Sequence, residues 1–289
     1  MAAERDITGS QSVDRALQVL SLVGRGPEQG LSLLEIVERS GFNKATTRRL
    51  LLALMRARMV SQDEVERRYF LGEEAYVLGV FAAPRFGLLE MAMESLTRLA
   101  RQTSDACFLS IRRDTFSICL HREEGNYPIR SHALQKGFEH PLGVGAGSLA
   151  MLSTLPDGEV EDVLARNADY LAATFPMVTA ADIRAAVQVT RRRGYALNPG
   201  VPFPNSWGLG VALRYPDGRL AGALSVAAID SRMQEPRQSE LSRLLREEAA
   251  CVEAKLERAF DRDPPKGRAG HRANGHPTPR LNQPRRISL

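Results

Sequence analysis

Two short helical segments joined by a tight turn constrain this chain more than any other feature. Ser32-Leu33-Leu34-Glu35 is a capping box, with a serine to accept from the backbone three residues on and a glutamate there to reach back. The helix it starts carries Leu33, Ile36 and Val37 inward and stops at Ser40-Gly41. Asn43 then caps a further helix, predicted to run to about Arg58. Two helices around so short a glycine-containing turn form a helix-turn-helix. In the second helix Thr47, Leu50, Leu51, Leu54 and Arg58 fall within one arc, the core face apart from the Arg58 stem. Ala45, Arg49 and Arg56 lie opposite, Lys44, Thr46 and Arg48 flank them, and Leu52 is an apolar exception on the outer side. No acidic residue occurs between Glu38 and Asp63. Such a face suits a helix that reads base edges near its start and neutralises phosphates with its cations. The competing reading is an ordinary amphipathic helix with a solvated basic side.

The flanking sequence supports the first reading. Ser12 is placed to cap a preceding helix, with Val13, Ala16, Leu17, Leu20 and Val23 at helical spacing and Gly24, Gly26, Pro27 and Gly30 ending it. After Met59-Val60, the segment Asp63-Glu64-Val65-Glu66 separates two short strand-like pieces, the second being Arg68-Tyr69-Phe70-Leu71. These predict a wing, although the turn lacks Asn-Gly or Asp-Gly. A short helix over 75–81 and Pro84 predict a domain boundary, and an amphipathic helix is expected from Gly87 to about Thr103. The expected division is an arm over 1–9 without fixed structure, a winged helix-turn-helix domain with its linker helix over 10–84, a second domain over 85–261, and a disordered basic tail over 262–289.

Within the second domain strands are predicted over 106–112, 115–122, 209–214 and 220–228, the last two flanking the turn Pro216-Asp217-Gly218. Helices are expected over 149–155, 157–167, 180–193 and 238–260, the first after a glycine-rich turn at Gly143, Gly145 and Gly147. Because these do not alternate as β-α-β units, they predict an α+β domain and not a doubly wound one.

Net charge carries less than it suggests. Beyond residue 261 seven Lys and Arg residues face one acid, Asp263, a surplus of six that exceeds the +5 of the whole chain. The body from 1 to 261 is therefore close to neutral, and the case for a nucleic-acid partner rests on the placement of cations, not on their number. The tail reads as a solvated end or as an auxiliary DNA contact. Cys107, Cys119 and Cys251 are too few and too scattered for a disulfide framework. With no long apolar run and no leader-like N-terminus, a cytoplasmic protein without a membrane partner is expected.

At this point the residues resemble a known family. Ser12-Val13-Asp14-Arg15-Ala16-Leu17, Gly30-Leu31-Ser32-Leu33, Lys44-Ala45-Thr46-Thr47-Arg48-Arg49-Leu50-Leu51 and Tyr69-Phe70-Leu71-Gly72 are similar to the N-terminal half of IclR-type bacterial regulators. The similarity resumes at Arg193-Gly194-Tyr195-Ala196, Pro216-Asp217-Gly218-Arg219 and Ala223-Leu224-Ser225-Val226. It implies a winged helix-turn-helix that binds a palindromic operator in double-stranded DNA. It also implies a GAF-like effector domain and assembly as a homodimer or a dimer of dimers. On matching positions Lys44, Ala45, Thr46, Arg48 and Arg49 would face DNA, with Arg67 and Arg68 in the wing, and the caps Ser32 and Asn43 are counted among the DNA-binding residues. A small-molecule effector would meet Gly145, Ala146, Asn198, Gly208, Ser225 and Ala227, and Trp207 is expected to adjoin it. Many members carry an acid at Asn198, Cys or Ser at Gly208, and Ser or Gly at Ala227. The loop 141–148 is also a residue shorter than usual, with Ser148 where Lys is common. These departures imply a less polar pocket, suited to a larger, partly apolar or aromatic organic acid. Its carboxylate could rest on the amides of Gly145 to Ser148, or these glycines only permit the turn.

Two other classes remain open on residues alone. Cys119 and His121 are predicted on one strand face, with His132 and His140 nearby. Residues two apart on a strand lie about 6–7 Å apart, too far for a thiolate–imidazole pair, and no spacing suggests a metal site. No catalytic residue, cofactor or metal is therefore expected, and an enzyme is the weakest reading. A protein-interaction module built on the long helices is the other.

Overall fold

Ser10 stands at the head of the first helix, where its Oγ donates to Asp14 at 2.9 Å, and α1 spans Gln11–Gly24. The cap is thus Ser10 and not Ser12. The computed structural model describes residues 10–129, 134–201 and 203–262, and these divide into two compact units between Phe86 and Gly87. The expected arm over 1–9, the tail beyond Arg262 and His132 lie outside the described residues.

In the first unit α1 is followed by α2 (Leu33–Ser40), α3 (Lys44–Arg56), β1 (Val60–Gln62), β2 (Tyr69–Leu71) and α4 (Glu73–Phe86). The capping box at the head of α2 is complete: the Ser32 N–H donates to Glu35 Oε2 at 2.9 Å, and the Glu35 N–H donates to Ser32 Oγ at 3.3 Å. Gly41 closes α2 in the left-handed region at φ 72°, a conformation open to glycine for want of a Cβ. Asn43 Oδ1 accepts from the Thr46 N–H at 2.8 Å and starts α3. The strands pair antiparallel, Ser61 opposite Phe70, and Leu31 joins them by exchanging hydrogen bonds with Tyr69 at 2.7 and 3.1 Å. Val19, Val23, Leu31, Ile36, Leu50, Leu51, Leu54, Val60 and Tyr69 form the core.

Three details are decided by the structure. Val13 and Leu17 are 58% and 54% exposed, because Val19 and Val23 supply the buried face of α1. Arg58 lies beyond α3 at φ 54° and pairs with Glu73 at 2.9 Å. α4 runs through Pro84 to Phe86, and the division between the two units falls two residues beyond the expected 84/85 boundary.

The second unit runs α5 (Leu88–Thr103), β3 (Ala106–Arg113), β4 (Phe116–Glu123), β5 (Glu139–Pro141), α6 (Ala146–Leu152), α7 (Asp157–Thr174), α8 (Ala180–Arg193), β6 (Ala196–Asn198), β7 (Ser206–Arg214), β8 (Leu220–Ile229) and α9 (Arg237–Arg262). It is an α+β domain with one sheet of order β5-β4-β3-β8-β7-β6, every neighbour antiparallel. Strand alternation sorts its side chains into two layers. Cys107, Leu109, Leu209, Val211, Leu213, Leu224, Val226 and Ala228 pack with α5 and α9 into the larger core. On the other face Ala223 and Ala196 join the core built with α6, α7 and α8. The edge strands β5 and β6, three residues each, carry no alternation long enough to be predicted.

Candidate nucleic-acid interface and effector cleft

The core fixes which way α3 looks. Thr47, Leu50, Leu51 and Leu54 are buried, so the opposite side is turned to solvent. There Lys44, Ala45, Arg48, Arg49, Leu52 and Arg56 line one shared surface. Of the residues singled out here, Lys44, Ala45, Arg48 and Arg49 share this surface, whereas the exposed Asn43 and the half-buried Thr46 lie outside it. Asn43 holds the helix start through its carbonyl oxygen, which orients the exposed first turn.

Around this helix the remaining residues divide. Ser32 is absorbed in the capping box, its Oγ also donating to Glu35 Oε2 at 2.9 Å. Those hydrogen bonds, with the charges of Arg68 and Arg39, hold the Glu35 carboxyl below its usual value near 4.5. Arg68 is turned inward: its guanidinium donates to the Gly30 carbonyl at 2.8 Å and pairs with Glu35 at 3.3 Å. It ties the wing to the start of α2 instead of reaching outward as expected. Arg67 is exposed at φ 58° in the wing turn, where Asp63 Oδ1 accepts from the N–H groups of Val65 at 2.9 Å and Glu66 at 2.6 Å. This aspartate-centred turn replaces the missing Asn-Gly.

In the second unit, register brings the expected effector residues to one face. Asn198 lies opposite Gly208, Gly208 opposite Ala227, and Ala227 opposite Ala106, while Gly210, Ser225 and Phe108 form the next row. The head of α6 lies directly on these rows. A Cβ at Gly208 would stand 3.2 Å from the Ala146 Cβ, one at Gly210 2.6 Å from the Ala146 carbonyl, and one at Gly147 3.2 Å from Ser225 Oγ. Glycine on both surfaces permits this approach. Gly145, at φ 84°, precedes the helix, and it and Ala227 remain half-exposed where the rows emerge from beneath α6. Ser148 Oγ shapes the loop, accepting from the Gly143 N–H and donating to the Pro141 carbonyl, both at 3.0 Å. Asn198 Oδ1 accepts from the Val201 N–H at 2.9 Å and so braces its own turn.

Trp207 does not adjoin this surface. It pairs with Ala228 and packs with the α5 and α9 core, on the far side of the sheet from Gly208. Neighbours along a strand face opposite ways, and the sequence expectation joined two such neighbours. Phe108, which the sequence did not single out, clusters with Cys119, Ala106, Leu134 and Ala227 on the same face of the sheet as Gly208. Arg122 stacks over Phe108 at 5.8 Å, pairs with Glu124 at 2.7 Å and donates to the Leu134 carbonyl at 3.1 Å. Alternation along β3 was the available signal, but it needed the pairing with β8.

Cys119 and His121 do not share a strand face as expected. Cys119 lies opposite Ser110 and His121 opposite Leu109, with a bulge between, so they face opposite sides of the sheet. Burial pushes the Cys119 thiol up to about 12. His121 bonds Glu123 at 2.9 Å, whereas His140 lies opposite Ser117, its imidazole pushed down to about 4 by burial. Among the described residues no group of three His, Cys, Asp or Glu side chains is placed to hold a metal ion.

The comparisons with known proteins bear on both units. Residues 12–64 match the IclR helix-turn-helix domain, and residues 80–254 match the C-terminal domain of bacterial transcriptional regulator IclR. The HTH-type transcriptional regulator XynR of Escherichia coli is 25% identical over 228 residues, 78% of this chain and 88% of that protein. The crystal structure of an IclR-type transcriptional regulator from Alicyclobacillus acidocaldarius superposes with a TM-score of 0.71 at 27% identity, covering 85% of this chain and 98% of that one. A homologue from Microbacterium hydrocarbonoxydans, solved with 4-hydroxybenzoate, shares the fold at 19% identity and a TM-score of 0.70, covering 85% of this chain and 98% of that one. A helix-turn-helix followed by an α+β domain, matched in order by both family profiles over most of the length, places the chain in the IclR family of bacterial transcriptional regulators.

Proposed function

We propose that this protein is a sequence-specific regulator acting in the cytoplasm, whose binding to a palindromic operator is modulated by a small-molecule effector. The observation that carries the reading is the outward side of α3, where Lys44, Arg48, Arg49 and Arg56 share one exposed surface. Lys44, Ala45, Thr46, Arg48 and Arg49 would enter the major groove, with Asn43 and Arg67 beside the phosphates; each phosphate neutralised adds about one to the log–log salt slope of binding. Residues 10–84 would serve DNA and 85–261 the effector. A homodimer, or a dimer of dimers, would present two such helices to the two half-sites. The exposed apolar side chains of Val13 and Leu17 on α1, and of Tyr76 and Phe81 on α4, support self-association.

The effector is proposed as an organic acid or aromatic metabolite held against Gly145, Ala146, Gly208, Ser225 and Ala227. Phe108 in the adjoining row favours a ring. The 4-hydroxybenzoate bound to the Microbacterium homologue makes that compound the first probe. A gel shift with DNA upstream of the protein's own gene tests the first half: binding is expected, and Arg48→Ala should abolish it with melting unchanged. Operator affinity untouched by Arg48→Ala would refute the recognition-helix assignment. A thermal-shift screen of carboxylic acids tests the second half, because a ligand of the native state raises the melting temperature.

A further inference from the structure

Leu52 stands out on the basic side of α3. It is 48% exposed, yet shares its surface with Lys44, Arg48, Arg49 and Arg56. The buried residues Thr47, Leu50, Leu51 and Leu54 define the inward direction of the helix. At about 100° per residue, Ala45, Arg49, Leu52 and Arg56 all point within roughly 30° of the opposite direction. Leu52 is therefore central to the face that would meet DNA, and not a marginal residue at its rim.

A branched apolar side chain in the middle of a major-groove contact has one favourable partner. Base edges there present hydrogen-bond donors and acceptors, except for the C5 methyl group of thymine. Leucine against a donor or acceptor would strip water without replacing its hydrogen bond, which is unfavourable. Against a thymine methyl it buries apolar surface on both sides. The Ala45 methyl lies on the same stripe seven residues earlier, about 10.5 Å along the helix axis. That distance equals roughly three base-pair steps of about 3.4 Å.

We propose that Leu52 is a base-reading residue that contacts a thymine methyl in each operator half-site, with Ala45 meeting a second thymine about three base pairs away. The inference rests on α3 being the recognition helix, and the test separates the two. The full chain is used to select binding sites from a pool of random duplexes. Failure to enrich any site overturns the DNA-binding reading itself. With a selected site in hand, each thymine is replaced singly by deoxyuridine, which removes the methyl group and leaves the hydrogen-bonding edge unchanged.

Affinity should fall about fourfold at two positions per half-site, the effect of losing one buried methyl group. Leu52→Ala should weaken binding to the intact site and become indifferent to deoxyuridine at one position, as Ala45→Gly should at the other. Tight binding that ignores deoxyuridine at every position overturns the inference while leaving the DNA-binding reading in place. So does a Leu52→Ala protein whose deoxyuridine profile matches the parent. The base substitution leaves the protein untouched, so the result does not depend on the variants folding.

Discussion

Asp105 sits at the junction between α5 and β3, and two arginines close on its carboxylate. Arg232 binds it through both carboxylate oxygens, at 2.9 and 3.1 Å, and Arg237 adds a third contact at 2.7 Å. Both guanidinium groups also donate to the Thr103 carbonyl, at 3.0 and 2.7 Å, and Arg232 stacks on Tyr127 at 3.8 Å. The Asp105 side chain is 2% exposed, whereas those of Arg232 and Arg237 are 20% and 29% exposed. Asp105→Ala therefore leaves two cations facing each other around a small void. Breaking a buried ion pair by removing one partner costs about 3–5 kcal/mol. Water can reach part of each guanidinium and the Thr103 carbonyl remains, so about 2–4 kcal/mol is expected. In a unit of this size each kcal/mol lowers the melting temperature by about 2–4 °C. The variant should melt roughly 5–15 °C lower when thermal unfolding of the full chain is followed by circular dichroism. Arg232→Met added to Asp105→Ala should cost less than the sum of the single changes, because it removes a stranded charge. A melting temperature within about 1 °C of the parent would refute the argument.

Three other outcomes follow from the same structure. Glu35 has a folded-state pKa lowered chiefly by the Ser32 N–H and hydroxyl, so its contribution is complete above its usual value near 4.5 and is lost as pH falls through the lowered value. Glu35→Ala should cost about 1 kcal/mol at pH 7 and progressively less towards pH 3; a penalty independent of pH would contradict this. Gly210→Ala places a Cβ 2.6 Å from the Ala146 carbonyl, so α6 must lift from the sheet. A loss of about 1–3 kcal/mol is expected with weakened effector response, and an unchanged melting curve would show that α6 is free to shift. Cys107 and Cys119 are buried with raised thiol pKa values, whereas Cys251 is exposed. Iodoacetamide at neutral pH should label one cysteine in the native protein and three after denaturation; rapid native labelling at Cys119 would contradict its burial.

What could be read from sequence alone follows one physical line. The capping box of Ser32 and Glu35, the left-handed Gly41, the Asn43 cap and the Pro216-Asp217-Gly218 turn all involve hydrogen bonds spanning four residues or fewer. The residues that make them are adjacent in the chain, so the helix pair, the inward side of α3 and the β7–β8 hairpin were legible there. Pairing between distant segments was not. The bulge that parts Cys119 from His121 exists only against β3, and the face taken by Trp207 is set by its register with Ala228. Arg68 turns inward because Gly30 and Glu35, more than thirty positions earlier, offer it oxygen atoms. Val13 and Leu17 fit a helical stripe equally well as core or as surface, and the position of the α1 core residues Val19 and Val23 decided between them. Local hydrogen bonding and periodicity made the helix pair and the outward side of α3 readable in the chain itself, whereas long-range register and packing decided which side chains share the α6-facing side of the sheet.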